Sequence, residues 1–262
     1  MDINLLGKKA LIGGSSSGIG RAIALQLAKC GAEVILMSRS EDKLKSTLLE
    51  LDTSHGQDHG YLVTDFNNYH LHKKNITDFF ARQGVDILIN NTQGPTAGTV
   101  LSKGEEDYRQ AFELLFQHAV YTTQLALPYM KEQGFGRIIN VSSMTVKEPQ
   151  DNLVLSNTMR TALVSWSKSL SNAVAKDGIT VNSILTGYFE TDRLNSLMDA
   201  QAKAEGRAFE EVRKQRMCAV PVQRLGQPEE YGYLVAFLAS EYASFLTGAG
   251  IPLDGGISGT LF

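Results

Sequence analysis

Apolar residues come in short blocks, and the stretches between them carry a longer, helical period. Residues 9–12, 33–38 (EVILMS), 61–64, 85–90 (VDILIN), 136–142 (GRIINVS) and 179–185 (ITVNSIL) have the length and continuity of strands buried on both faces. Residues 249–253 predict a seventh strand. Helical patterns cover 21–30, 43–51, 73–82, 107–131, 157–177 and 228–239. Strands alternating with helices predict an α/β chain: a parallel sheet with helices on both faces. No Pro- or Ser-rich linker divides the chain, so residues 1–262 are expected to form one domain. The polar stretch 191–217 breaks the alternation and predicts a helical insertion after the sixth strand. In an open α/β sheet that is the ligand side. The insertion reads equally as a substrate lid or as a solvated helix pair.

Composition changes this picture little. Hydrophobic residues make up 43% and charged residues 20%, ordinary for a globular chain. The net charge of −3 gives no reason to expect nucleic acid or an anionic membrane as a partner. No apolar run approaches the ~18 residues of a membrane span. Residues 1–9 lack a signal-like apolar core, so a cytoplasmic location is expected. Cys30 and Cys218 make no metal or redox spacing and read as buried or idle thiols. His55, His59, His70 and His72 look like a metal cluster by count. They fall in a polar loop and helix start, so a solvated segment without metal is expected.

Candidate chemistry begins at Gly13-Gly14-Ser15-Ser16-Ser17-Gly18-Ile19-Gly20, between the first strand and the first helix. A strand turning through glycines into a helix N-terminus presents bare N–H groups and the positive end of a helix dipole to one point. The glycines let the backbone approach a pyrophosphate closely. A dinucleotide is therefore expected there.

Further features accompany this turn: Asn90-Asn91 after the fourth strand, Val141-Ser142-Ser143 after the fifth, Gly187 and Thr191 after the sixth, and Pro252-Leu253-Asp254-Gly255-Gly256 near the end. Together they resemble the short-chain dehydrogenase/reductase family, most closely its 3-oxoacyl-carrier-protein-reductase-like members, over nearly the whole chain. The resemblance implies a Rossmann-type, three-layer, doubly wound parallel sheet of about seven strands. It also implies a nicotinamide dinucleotide held by Gly14, Ser15, Ser16, Ser17, Gly18, Ile19 and Gly20, with Ser38, Arg39, Asp65, Phe66, Asn91, Thr92, Gly187 and Thr191. Where NAD-binding relatives carry an aspartate, this chain has Ser38-Arg39. A carboxylate repels a 2′-phosphate and a guanidinium pairs with it, so NADP(H) is preferred over NAD(H). The second basic residue that many such relatives carry in the Gly-rich turn is Ser17 here, which weakens the preference. Gln93 stands where the family has glycine, so that turn is expected to differ locally.

The family moves a hydride between the nicotinamide and a carbonyl carbon with a serine, a tyrosine, a lysine one helical turn later and an asparagine. Ser143 matches the serine. The tyrosine position is Ser156, the lysine position is Arg160 and the asparagine position is Leu115. The enoyl-reductase register puts Leu153 at the tyrosine and restores nothing. Arg160 keeps a cation able to bond ribose, and is a poor acid. Lys147, Tyr188 and His118 are the candidates for a replacement proton donor, in that order. A solvated loop charge, a pocket wall and a packed helix surface are their plain alternatives.

Three functions compete: an NADP(H)-dependent reductase of a carbonyl or dehydrogenase of a secondary alcohol with an atypical donor; a nucleotide-binding sensor or partner subunit without turnover; and a non-redox lyase using Lys147 as base. A small-molecule or acyl-thioester substrate is implied, with Arg207, Arg213, Lys214 and Arg216 as a possible basic patch for an acidic carrier. Family habit, the stripe Trp166, Leu170 and Val174, and the apolar terminus 252–262 predict a homo-oligomer, a tetramer.

Overall fold

The computed structural model describes residues 2–260. Its strands are β1 (Lys9–Gly13), β2 (Glu33–Ser38), β3 (Gly60–Val63), β4 (Ile87–Asn90), β5 (Gly136–Val141), β6 (Ile179–Thr186) and β7 (Gly250–Leu253). They form one parallel sheet in the order β3-β2-β1-β4-β5-β6-β7. Neighbouring side chains on a strand point to opposite faces, and the core divides accordingly. Ala10, Ile12, Val34, Leu36 and Ile89 meet α1 (Gly18–Lys29), α2 (Glu41–Leu48) and α9 (Pro228–Ala239). Leu11, Ile35, Met37, Leu88 and Ile138 meet α3 (Tyr69–Phe80), α5 (His118–Gln133) and α6 (Val154–Val174). The sequence of crossovers reverses between β1 and β4, which opens a crevice at their carboxyl ends.

The helix expected over 107–131 is built in three parts: α4 (Glu105–Phe112), a π turn (Glu113–Gln117) and α5. The wider turn seats Leu114 and Leu115 in the core, and the Leu114 carbonyl accepts from Thr92 Oγ1 (3.3 Å). The insertion at 191–217 is two helices, α7 (Asp192–Glu205) and α8 (Phe209–Ala219). They enclose a small core of their own: Leu194, Met198, Ala202, Val212 and Leu225.

Several expectations are corrected. His72 is fully buried rather than solvated, bonded to Thr64 Oγ1 (3.4 Å) and Thr122 Oγ1 (3.2 Å). His59 is tied to the backbone by Val34 N (3.0 Å) and Asp52 O (2.9 Å), while His55 and His70 are exposed. No metal-holding group of His, Cys, Asp or Glu occurs among the described residues. Cys30 is half-buried and Cys218 is exposed, so neither is a buried core thiol. The stripe on α6 splits: Val174 is in the core, whereas Trp166 is half-buried against Phe116, which stacks on the part-exposed Phe112. Of the apolar terminus, Leu261 and Phe262 lie outside the described residues. No helix among the described residues is long and apolar enough to cross a membrane.

Candidate active site

A cleft of about 1140 Å³ runs across the carboxyl ends of the strands, from Arg39 at one end to α8 at the other. Its floor is the Gly-rich turn. Gly14 (φ +58°) and Gly18 (φ +52°) sit in the left-handed region that favours glycine. A Cβ on Gly20 would collide with the Gly14 carbonyl, and one on Gly13 with the Asn91 carbonyl. At Gly13 the end of β4 comes too close for a side chain. Asn91 locks this approach by donating Nδ2 to Gly13 O (2.9 Å).

The N-cap of α1, Ser17, makes no side-chain cap, and the first turn of the helix holds no acid. Its N–H groups are left for a ligand. Thr191, the N-cap of α7, packs its methyl 3.2 Å from where a Gly18 Cβ would stand, which brings a second helix N-terminus to the same floor. Gly14, Ser16, Ser17, Gly18, Ile19 and Gly20 all line the cleft. Ser15 is an exception. It is fully buried, and its Oγ accepts from Met37 N (2.8 Å), so it ties the turn to β2 and does not line the cleft.

At the β2 end, Ser38 is buried with no partner for its Oγ, and Arg39 is exposed. Lys43, one turn into α2, lines the same end and was missed in the sequence. Among the described residues neither Arg39 nor Lys43 has an ion-pair partner. Asp65 and Phe66 form the next wall; Asp65 Oδ1 accepts from Asn67 N (2.9 Å). Gln93, the departure from glycine, donates to Asn67 Oδ1 (2.7 Å) and so ties the loops after β3 and β4 together. Gly187 is held against Asp254, its N–H on Leu253 O (3.0 Å).

Ser143, Ser156, Arg160 and Tyr188 all line the cleft. Ser143 Oγ accepts from Thr145 N (3.2 Å) and Thr145 Oγ1 (3.0 Å), which leaves its own proton to donate outward. Arg160 donates to Val141 O (2.5 Å) and to Ser156 Oγ (3.2 Å). Burial pulls the Arg160 guanidinium down to about 10; the nearby Tyr231 phenol opposes this and the Arg193 charge adds to it. It therefore remains a cation at neutral pH. The Tyr188 phenol oxygen lies 3.4 Å from Gln150 Nε2, its donor. Arg193 reaches over from α7 to Pro95 O (2.9 Å) and latches the insertion to the loop after β4.

Two of the three donor candidates are not on this wall. Lys147 closes the short 3₁₀ turn Met144–Val146 and is not among the lining residues, because that turn carries the chain away after Thr145. His118 points inward as expected, but under the floor. It is buried, bonds Phe66 O through Nε2 (2.8 Å), and lines a small separate cavity with Leu115 and Arg160. Burial lowers its pKa to about 4; His72, at 4.1 Å between ring centroids, is lowered to about 3 by burial and by the His118 charge. Of the basic patch proposed for the insertion, only Lys214 is exposed and without an ion-pair partner among the described residues. Arg207 pairs with Glu205 (2.8 Å), Arg213 with Glu190 (2.6 Å), and Arg216 turns into the cleft.

The family model described as enoyl-(acyl carrier protein) reductase matches residues 14–258. This chain is a short-chain dehydrogenase/reductase. Within that family it is 3-oxoacyl-carrier-protein-reductase-like. It is 32% identical to the NADPH-dependent reductase BacG of Bacillus subtilis (95% of this chain, 97% of that one). It is 31% identical to the 3-oxoacyl-[acyl-carrier-protein] reductase FabG of Aquifex aeolicus (98% of this chain, 100% of that one). L-sorbose reductase from Gluconobacter frateurii, solved with NADPH and L-sorbose, superposes with a TM-score of 0.92 at 30% identity over the full length of both chains. The short-chain dehydrogenase/reductase fold explains why the cleft lies where it does, and two of the altered residues, Ser156 and Arg160, line it.

Proposed function

We propose that this chain is an NADP(H)-dependent oxidoreductase of a carbonyl or secondary alcohol, with Tyr188 in place of the missing tyrosine as proton donor. The observation that carries the reading is the cleft itself. One wall joins a nucleotide cradle at the switch point of the sheet to Ser143, Ser156, Arg160 and Tyr188. The glycine contacts and the uncapped N-terminus of α1 fit a pyrophosphate, whereas α7 is already capped by Thr191 and carries Asp192 in its first turn. Ser38, Arg39 and Lys43 fit a phosphorylated ribose, with Lys43 standing in for the basic residue absent at Ser17. Asp65 and Phe66 would flank the adenine, and Asn91, Thr92, Gly187, Thr191 and Arg160 the nicotinamide side. NADPH bound there supplies the hydride. The chain's part is to hold the carbonyl oxygen: Ser143 donates to it, Arg160 sets a positive field, and Tyr188 delivers the proton. Arg160 keeps its own proton at neutral pH, so it stabilises charge rather than acting as the acid.

A second reading is a nucleotide-binding protein without turnover. Its support is that Leu115, Ser156 and Arg160 replace three catalytic positions of the family, and that Arg160 already spends donors on Val141 and Ser156. The lyase reading loses its base, since Lys147 is off the cleft. A carrier-bound acyl thioester is disfavoured by the paired arginines of the insertion. The aromatic surface of Phe112, Phe116 and Trp166 supports a homotetramer, checked by light scattering.

Titration with NADPH and NADH, followed by a carbonyl panel that includes an acetoacetyl thioester, tests the reading at the nicotinamide absorbance. Tight NADPH binding with turnover upholds it, and Tyr188→Phe then removes most of the rate. Tight binding with no turnover across the panel favours the second reading.

A further inference from the structure

The chain has eleven arginines. Six of them (Arg21, Arg109, Arg137, Arg207, Arg213 and Arg224) sit in ion pairs. Among the described residues, five have no carboxylate partner, and four of those five line the one cleft: Arg39, Arg160, Arg193 and Arg216. An arginine partly withdrawn from water without an anion is costly, and this holds for the half-buried Arg160 and Arg216, whereas Arg39 and Arg193 are exposed. The nucleotide accounts for Arg39 and Arg160 in the reading above, and Arg193 is spent on the Pro95 carbonyl.

Arg216 is left over, at the end of the cleft away from Arg39. It is held for use. Its Nη2 donates to Gln201 Oε1 (2.7 Å), and its guanidinium lies 5.0 Å from the Tyr188 ring centroid. Its Nε is buried and has no acceptor. Glu205 feels its charge but is already taken by Arg207 (2.8 Å) and by Gln201 Nε2 (2.8 Å). The chain Arg216–Gln201–Glu205–Arg207 fixes the guanidinium and leaves Nη1 with no partner among the described residues. The α7 and α8 part of the cleft mixes apolar side chains, Leu197, Ala200, Ala204 and Ala219, with Gln201, Glu205 and Gln215.

We propose that Arg216 is a substrate anchor and that the substrate is an oxo acid. Its carboxylate pairs with Arg216, and its apolar body packs on α7 and α8. Its carbonyl lies against Ser143 and Arg160. The inference rests on the oxidoreductase reading for the carbonyl, while the anion site stands on Arg216 alone. A neutral thioester or ketone leaves this cation unpaired, which is why the carboxylate is favoured over the acyl thioester.

The test uses two oxo acids that differ in the spacing of carbonyl and carboxylate, 4-methyl-2-oxopentanoate and 4-oxopentanoate, each beside its methyl ester. Two assays are run on the whole protein: NADPH oxidation, and thermal shift with saturating NADP⁺. The expected result is a roughly ten- to hundredfold preference in kcat/KM for at least one acid over its ester, carried by KM. Arg216→Gln abolishes that preference by weakening the acid alone, and Arg216→Lys restores part of it; circular dichroism checks that both variants fold. Acid-selective thermal shifts without NADPH oxidation, lost in Arg216→Gln, uphold the anion site and sink the redox reading instead. Acid and ester behaving alike in both assays, failure of either to bind included, overturns the proposal. So does an acid preference that survives in Arg216→Gln.

Discussion

The two ends of the cleft are held by different kinds of interaction. The Gly-rich end is walled by backbone: Gly13 and Gly20 leave no room for a Cβ, and Asn91 pins the first and fourth strands together. The far end is walled by side chains on α7 and α8, which pack on a small core of their own and join the rest through Arg193–Pro95 and Arg213–Glu190. Backbone walls follow from sheet register and glycine, and almost any change there disturbs the fold. Side-chain walls can be rebuilt without moving a strand. The catalytic positions lie at the join, and it is there that the chain departs from its family.

Five changes break or sharpen this contrast. Arg160→Ala strikes the join and is expected to cost the most, about 10²–10³ in kcat, with NADPH affinity falling less; steady-state kinetics beside a binding titration separates the two. A mainly structural Arg160 would instead lower Tm and leave kcat within a few-fold. Gly20→Val forces a side chain into the Gly14 carbonyl and is expected to weaken NADPH by on the order of a hundredfold, read by fluorescence titration. Unchanged affinity would mean that the cradle is not the nucleotide site. Arg39→Ala is expected to weaken NADPH roughly tenfold and leave NADH unmoved, because a charge-assisted pair with phosphate is lost and the guanidinium has no ion-pair partner among the described residues.

The fourth concerns the histidines beneath Phe66. His118 (about 4) and His72 (about 3) are both held below the ordinary imidazole value. Below pH 6.5 the unfolded chain therefore takes up protons that the folded chain refuses. Stability is full above that pH and declines as pH falls, by up to about 1.4 kcal/mol per unit for each group. The decline eases near pH 4 for His118 and near 3 for His72. Tm measured from pH 7 to 4.5 should drop, and His118→Gln should flatten the slope; a parallel slope in the variant would refute the assignment. Lys147→Ala is expected to do least, changing activity within about twofold, since the residue is off the cleft wall. A large loss would return Lys147 to the mechanism.

What could be read in the chain was of one kind. The strands stood out because buried parallel strands are continuous apolar runs, and all seven lie within two residues of their expected ends at both termini. The Gly-rich turn, Ser143, the replaced positions Ser156 and Arg160, and Arg39 were legible because they sit at fixed offsets from strand ends. Lys43 was not, since it joins Arg39 only through the turn into α2. His72 was misread because local polarity says nothing about what packs over a residue. Lys147 was over-weighted because loop position alone does not say which way a 3₁₀ turn carries the chain.

The sequence by itself determined the sheet, the place of the crevice and the chemistry of its floor, because periodicity, glycine and short-range spacing are local properties of the chain. Only the tertiary structure decided which side chains share a wall: Tyr188 in one cleft with Ser143 and Arg160, Ser15 turned away, and Arg216 left without a carboxylate. Those outcomes depend on which elements pack together from opposite ends of the chain, and on whether a charge meets its partner there. No local pattern carries that information.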